Sequence, residues 1–341
     1  MSPVAGASTR PAAPSAQGVT RSVPALEPSG DEGSVPDVSV TIVTYQCKDL
    51  VLTCLESLTD GARASQLEVI IVDNGSTDGV VEAVKDRYPD LRVIEVGGND
   101  GFGRSHNLAA SHATGRYLLV LNPDTFVEPG AIDTLVRFAD ERERLGHPVG
   151  MVAPRLLNPD GTDQRTARAF PTASAGLFGR RSPLTRAFPR NRWSRRFLVS
   201  DRTEDDEPWV VDWVSGAAML IPRAEFDELG GFDRDFFMHF EDAELCHRIG
   251  ASGREVWCVP RSEIVHAEGG CRDGWSPAQL WHFHRGAYLF ARKARYPKLS
   301  DPRRWGIATL LGIRFLGALG LRLLRSAPKN TTNQKEVEPR A

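Results

Sequence analysis

The sequence predicts an α/β fold, a mostly parallel sheet flanked by helices, with an amphipathic helix added near the C-terminal end. Three observations predict it. Apolar β-branched runs alternate with stretches of helical periodicity from residue 38 to 121, the pattern of right-handed crossovers. The run at 68–73 is continuously apolar, as strands buried on both faces are. Residues 305–324 form a long apolar segment whose charges are all arginine.

Val38–Thr44 (VSVTIVT) reads as the first strand, bounded by Pro36. Leu50, Val51, Cys54, Leu55 and Leu58 then mark a helix over 48–59. Strand 68–73 ends in Asp73-Asn74-Gly75-Ser76, which offers turn and helix-capping chemistry. A helix to about Tyr88, a strand at 91–96, a helix at 103–114 and a strand at 117–121 follow. Further on, order is expected at 209–221, helices at 223–229 and 242–252, a strand at 255–259 and a helix at 276–296. In open sheets ligands sit beyond the carboxyl ends of the strands, where Thr44, Asp73, Asn122 and Asp124 fall.

Composition narrows the class. The 341 residues suffice for one large domain or two modest ones, and a formal net charge of −2 gives no global attraction for nucleic acid. The five cysteines form no metal or disulfide spacing, which suits reduced thiols; a catalytic cysteine stays open without a pattern to support it. No apolar core follows a basic start at the N-terminus, so no secretory signal is expected. Residues 1–36 and 327–341 hold few large apolar side chains and are expected to be disordered tails. Residues 164–200 hold many arginines and no acid, as a solvated loop or as a basic flap meeting a diphosphate or an anionic membrane. On a helical wheel, Arg303, Arg304, Arg314, Arg322 and Arg325 fall within roughly a quarter of the circumference. That favours a helix in the membrane interface, with a core helix or a span as alternatives.

Two acidic stations carry the chemistry. Asn122-Pro123-Asp124 follows the apolar run 117–121; it is a turn by composition, or a site where Asp124 holds a divalent cation. Glu241-Asp242 opens a helix after Phe236, Phe237 and Phe240; the acids either complement the helix dipole or supply a desolvated base. Between the stations lies the glycine-rich run Asn99-Asp100-Gly101-Phe102-Gly103, whose amides could approach phosphates. His266 ends a β-like run and is a structural histidine or a nitrogen ligand.

With these residues in place, the chain resembles glycosyltransferase family 2, whose domain is the Rossmann-like GT-A fold. The matching pieces are VDNGSTDG, NDGFGRSHN, LNPD, WVSGAAMLIPR, GGFDRDFFMHFEDAELCHR and IVHAEGG, in the family's order. The nearest branch is the rhamnosyltransferase-like group of bacterial cell-envelope enzymes. The resemblance implies a GT-A domain over 37–300, with a nucleotide-sugar half at 37–155, a basic loop at 156–208 and an acceptor half at 209–300. It places Thr44, Tyr45, Asp73, Asn74, Gly101, Phe102, Asn107, Asn122 and Asp124 on the donor. Trp213, Ser215, Gly216 and Glu241 would meet the acceptor, with Asp242 as general base and Glu241 beside it. Asp124 and His266 would hold Mg2+ or Mn2+, and Asn122 stands where the usual Asp-x-Asp has its first acid. The implied reaction moves a sugar, L-rhamnose from dTDP-L-rhamnose, to a polyprenyl-linked or other cell-envelope saccharide. The enzyme would work at the cytoplasmic membrane surface, through helix 301–326, with homo-oligomers compatible. Donors carrying galactofuranose, N-acetylglucosamine or glucose remain alternatives, as does a non-catalytic saccharide-binding protein. A pyrophosphorylase or an oxidoreductase would need a glycine-rich motif after the first strand, where Thr44-Tyr45-Gln46-Cys47-Lys48 stands.

Overall fold

The computed structural model describes residues 35–165, 167–170, 207–270 and 276–326, with side chains to 322. Most of the two tails and of the basic segment 164–200 therefore lies outside the described residues. The first half follows the expected alternation: β1 (Val38–Thr44), α1 (Lys48–Gly61), β2 (Leu67–Asp73), α2 (Val80–Arg87), β3 (Arg92–Glu95), α3 (Phe102–Ala110) and β4 (Tyr117–Leu121). These four strands are all parallel, in the order β3-β2-β1-β4. Thr44 pairs with Asp73 and Ile42 with Leu121, so the strands end on one edge of the sheet.

Beyond β4 the sheet becomes mixed, which limits the parallel expectation to the first half. β5 (Thr125–Val127) and α4 (Ala131–Arg144) lead to β6 (Met151–Leu157). Then come β7 (Trp209–Val211), β8 (Ala218–Pro222), α5 (Arg223–Glu228), α6 (Glu241–Ala251) and β9 (Val256–His266). β8 runs antiparallel to β4 and β6, and β9 lies parallel to β6 and antiparallel to β5 and β7. The antiparallel β4–β8 pair sets Ala218 opposite Leu121, which carries residues 215–217 to the edge where β4 ends. β9 is longer than the expected strand 255–259. Its register against β6 shifts between Pro154 and Arg155, and this irregularity accommodates Pro260 so that pairing resumes through Ile264. α4 was not anticipated, although Ile132, Leu135, Val136 and Ala139 are buried on one helical face.

Period-2 alternation sends neighbouring strand residues to two cores. Val40, Ile42, Ile71, Leu119 and Leu121 pack against α1, α2 and α4. Ile70, Val72, Leu118, Val120, Met219 and Ile221 meet Phe226, Phe232, Phe236 and the Leu245 and Ile249 face of α6. The expected helix 276–296 is α7 (Pro277–Phe290), started by a Ser276–Gln279 capping box, followed by a π-helical turn at Ala291–Arg295. α8 (Pro302–Ser326) lies against α7, with Phe315 edge-on to Trp281 and His284, both at 5.6 Å. Trp305, Leu310, Ile313, Leu316 and Leu321 stay exposed, so α8 is not a core helix. Its stretch Pro302–Arg322 is long and apolar enough to cross a membrane by length and composition, with a mean hydropathy of 1.2.

The connection from α1 to β2 depends on one buried carboxylate. Asp133 accepts hydrogen bonds from the backbone N–H groups of Arg63 and Ser65 at 2.8 and 2.9 Å and from the Ser65 hydroxyl at 2.8 Å. Burial pushes its carboxyl up, but these donors outweigh burial and hold it below the usual carboxylate range. A depressed native value means stability present above the unfolded value and lost as pH falls through the native one. Asp133→Ala should therefore cost about 1–3 kcal/mol at neutral pH, and the gap to wild type should shrink in acid. Urea denaturation across pH checks both.

Candidate functional site

The ends of β1 and β2 form one wall. Thr44 donates its hydroxyl to Asp73 Oδ1 at 2.9 Å, while Asp73 Oδ2 accepts the N–H groups of Gly75 and Ser76 at 3.0 and 2.9 Å. Asp73 thus closes its own turn; the N-cap position of α2 is Gly79. Asn74 is buried and tied on both sides, accepting from the Ser105 hydroxyl at 2.7 Å and donating to the Gly101 carbonyl at 3.4 Å. Tyr45 is exposed at the edge.

The glycine-rich run takes a different part from that expected of a phosphate cradle. The Gly101 N–H donates to Asn99 Oδ1 at 3.0 Å and the Phe102 N–H to the Phe237 carbonyl at 2.9 Å, so both amides already have protein acceptors. Gly101 has φ +87°, and a Cβ there would lie 2.3 Å from the Phe237 carbonyl oxygen. The loop is a close backbone junction with the second station. Asn107 points elsewhere too: its amide donates to the Phe232 carbonyl and accepts from the Phe232 N–H, both at 2.8 Å. It clamps the turn before Phe232.

At the end of β4 the structure joins two residues far apart in sequence. Because Thr125 pairs with His266, β5 carries Asp124 to the end of β9. Asp124 Oδ1 lies 3.3 Å from His266 Nε2, and both side chains are 8% exposed. Asn122 Nδ2 also lies 3.3 Å from that nitrogen. A carboxylate oxygen and an imidazole nitrogen converging in this way are a donor set that Mg2+ or Mn2+ accepts. Among the described residues no third His, Cys, Asp or Glu joins them. Cys54 lies beneath, 3.4 Å from the Thr125 hydroxyl, and burial pushes its thiol up to about 12. Burial raises Cys246 and Cys258 as well, so these thiols do not suit nucleophilic work; Cys271 lies outside the described residues.

The second station meets the first through residues 216 and 217. Asp242 Oδ2 accepts the Gly216 N–H at 3.1 Å, and the Ala217 carbonyl accepts the Asn122 N–H at 2.9 Å. The carboxylate of Asp242 and the end of β4 thus hang on neighbouring residues of the turn that leads into β8. Gly216 leaves room for both, since a Cβ there would touch the Phe102 ring at 3.3 Å and Asp242 Cβ at 3.5 Å. His239 and Phe240 precede α6 with φ of +70° and +72°, left-handed values that side chains adopt at a cost. They aim the first turn of α6 inward. Ser215 lies at this edge, but Trp213 is buried, with its indole N–H donated to the Ala169 carbonyl at 2.9 Å. Arg168, one of the arginines of the basic segment, pairs its backbone with Trp213 and lays its guanidinium 5.1 Å over that ring.

Burial raises the carboxyl of Asp242, opposed by the amide donors of Gly216 and Ala243 and by the charge of Arg168. Burial, then the neighbouring Asp242, raises Glu241 as well, and Glu241 Oε2 has no hydrogen-bond partner. A raised native value reverses the sign found at Asp133: the folded state holds its proton longer than the unfolded one, so stability falls as pH climbs from the unfolded value toward the native one. Glu241→Gln should gain on wild type as pH rises from about 5 to 8. Denaturation midpoints of both proteins in that window would show it, and a constant difference would not.

Comparison with known proteins agrees with this architecture. The family model described as Glycosyl transferase family 2 matches residues 39–200. The N-acetylglucosaminyl-diphospho-decaprenol L-rhamnosyltransferase of Mycobacterium tuberculosis is 30% identical over 286 residues, covering 81% of this chain and 90% of that protein. Rhamnosyltransferase WbbL of Escherichia coli is 25% identical over 264 residues, covering 75% of this chain and 93% of its own. Among solved structures, GalNAc-T7 with UDP, GalNAc and Mn2+ shares the fold at a TM-score of 0.54 and 19% identity, over 87% of this chain and 59% of that one. The GT-A architecture, the junction of the two stations and a 30%-identical relative covered over 90% of its length lead to one assignment: the chain belongs to glycosyltransferase family 2.

Proposed function

We propose that this glycosyltransferase inverts the anomeric centre of a nucleotide sugar, L-rhamnose from dTDP-L-rhamnose, as it transfers that sugar to a hydroxyl of a polyprenyl-linked cell-envelope saccharide. The donor and acceptor rest on the names of the relatives, two of which are rhamnosyltransferases and one of which names a diphospho-decaprenol acceptor. The observation that carries the mechanism is the pair of bonds at 216–217 that hangs Asp242 beside the end of β4.

Asp242 takes the acceptor's hydroxyl proton as the oxygen forms its bond to the anomeric carbon. The bond from that carbon to the diphosphate oxygen breaks on the opposite face, and the pair of electrons leaves with the diphosphate. Raised basicity suits Asp242 to this task, and the Gly216 N–H fixes its orientation. Asp124 and His266 would hold a divalent cation, which when bound would neutralise charge on the leaving diphosphate. Asp73 and Thr44 would border the nucleotide, and Glu241 would stand behind the base.

The same reading puts the enzyme on the inner face of the membrane, peripheral and held by α8. Ile313 and Leu316 are each 65% exposed, and α8 contains arginines and no acid. An anionic bilayer complements both features.

Asp242→Asn should retain donor binding and lose ~10²–10⁴-fold in turnover, read as nucleoside diphosphate release with a lipid-linked acceptor. Unchanged turnover removes Asp242 as base, and release from UDP-sugars but not dTDP-rhamnose replaces the donor. In flotation assays the protein should rise with phosphatidylglycerol vesicles and less with phosphatidylcholine. The double substitution Ile313→Ser and Leu316→Ser should leave it at the bottom, and equal flotation of both proteins would sink the anchor.

A further inference from the structure

A side chain outside both acidic stations controls how His266 faces Asp124. Gln164 is 1% exposed and lies under the end of β9. The turn at 158–162 folds back on β6, bridged at Leu157 and Asp163, and the Gln164 N–H donates to the Leu156 carbonyl at 2.8 Å. From this anchored position Gln164 makes two contacts with one residue. Its Nε2 donates to the His266 backbone carbonyl at 2.6 Å, and its Oε1 lies 3.0 Å from His266 Nδ1.

The first contact decides the second. A backbone carbonyl only accepts, so the amide nitrogen must face it, and the amide oxygen must face the ring. An oxygen at hydrogen-bond distance from Nδ1 calls for the proton on Nδ1. The Nε2 lone pair then points toward Asp124 Oδ1 and Asn122 Nδ2, each 3.3 Å away. We propose that Gln164 is a positioning residue that holds His266 as the Nδ1–H tautomer, leaving Nε2 to ligate the cation beside Asp124. This inference rests on the cation reading above, but the tautomer is testable without metal. Partners of this kind fix ring orientation and ligand basicity in histidine metal sites.

The first measurement is the imidazole nitrogen spectrum of the metal-free, 15N-labelled full chain. His266 should show Nδ1–H and a bare Nε2; an Nε2–H tautomer overturns the inference. The second is Mn2+ uptake followed by electron paramagnetic resonance. Gln164→Leu should weaken Mn2+ binding about 10–100-fold and mix the tautomers. Gln164→Glu keeps an acceptor for Nδ1–H and should recover most of the affinity, and it serves alone should the leucine variant not fold. Unchanged Mn2+ binding and an unchanged ring spectrum in a folded Gln164→Leu protein overturn the inference. Wild-type protein with the stated tautomer but no Mn2+ uptake overturns the cation reading and upholds the orientation of His266 by Gln164.

Discussion

The junction between the two acidic stations depends on two hydrogen bonds from the backbone of adjacent residues. The Gly216 N–H holds the Asp242 carboxylate, and the Ala217 carbonyl holds the Asn122 N–H. Strand β8 must run antiparallel to β4 for these residues to arrive at the edge where β4 ends. Without that reversal, the carboxylate that opens α6 would have no fixed relation to the acid that ends β4. The position is closely packed, since a Cβ on Gly216 would lie 3.3 Å from the Phe102 ring and 3.5 Å from Asp242 Cβ.

The parallel half of the sheet was legible because its strands are rich in β-branched and apolar residues and its turns carry glycine, asparagine and aspartate. Both acidic stations were legible for the same local reason, each lying at the boundary of a clear element. What escaped was non-local. The extension of β9 through Pro260 depends on a register shift against β6, which no window of sequence contains. Gln164 acts on a residue 102 positions away, in a stretch where arginines draw the eye. The internal partners of Asn107 and the Gly101 loop escaped too, because amides and glycines serve ligands and backbone alike. Only the tertiary fold shows that Phe232 and Phe237 take them.

The two halves of the site are held by different physics. The Asp124–His266 pair is fixed by strand pairing and by buried polar contacts, a rigid arrangement. The Asp242 side is fixed by aromatic packing: Phe237 stacks on His282 at 4.2 Å, and Phe240 tilts against Phe283 at 5.3 Å. This packing offsets the left-handed backbone at His239 and Phe240, each costing of order 1–3 kcal/mol.

α7 presents His282, Phe283 and the close-packed Gly286 to that turn, and Trp281 and His284 to Phe315 of α8. A shortened protein ending before residue 302, made to ease handling in detergent-free buffer, is therefore no neutral reagent. It strips the outer side of the very helix that packs on the turn before α6, and weak turnover in such a fragment would report that lost support as much as the loss of α8 itself.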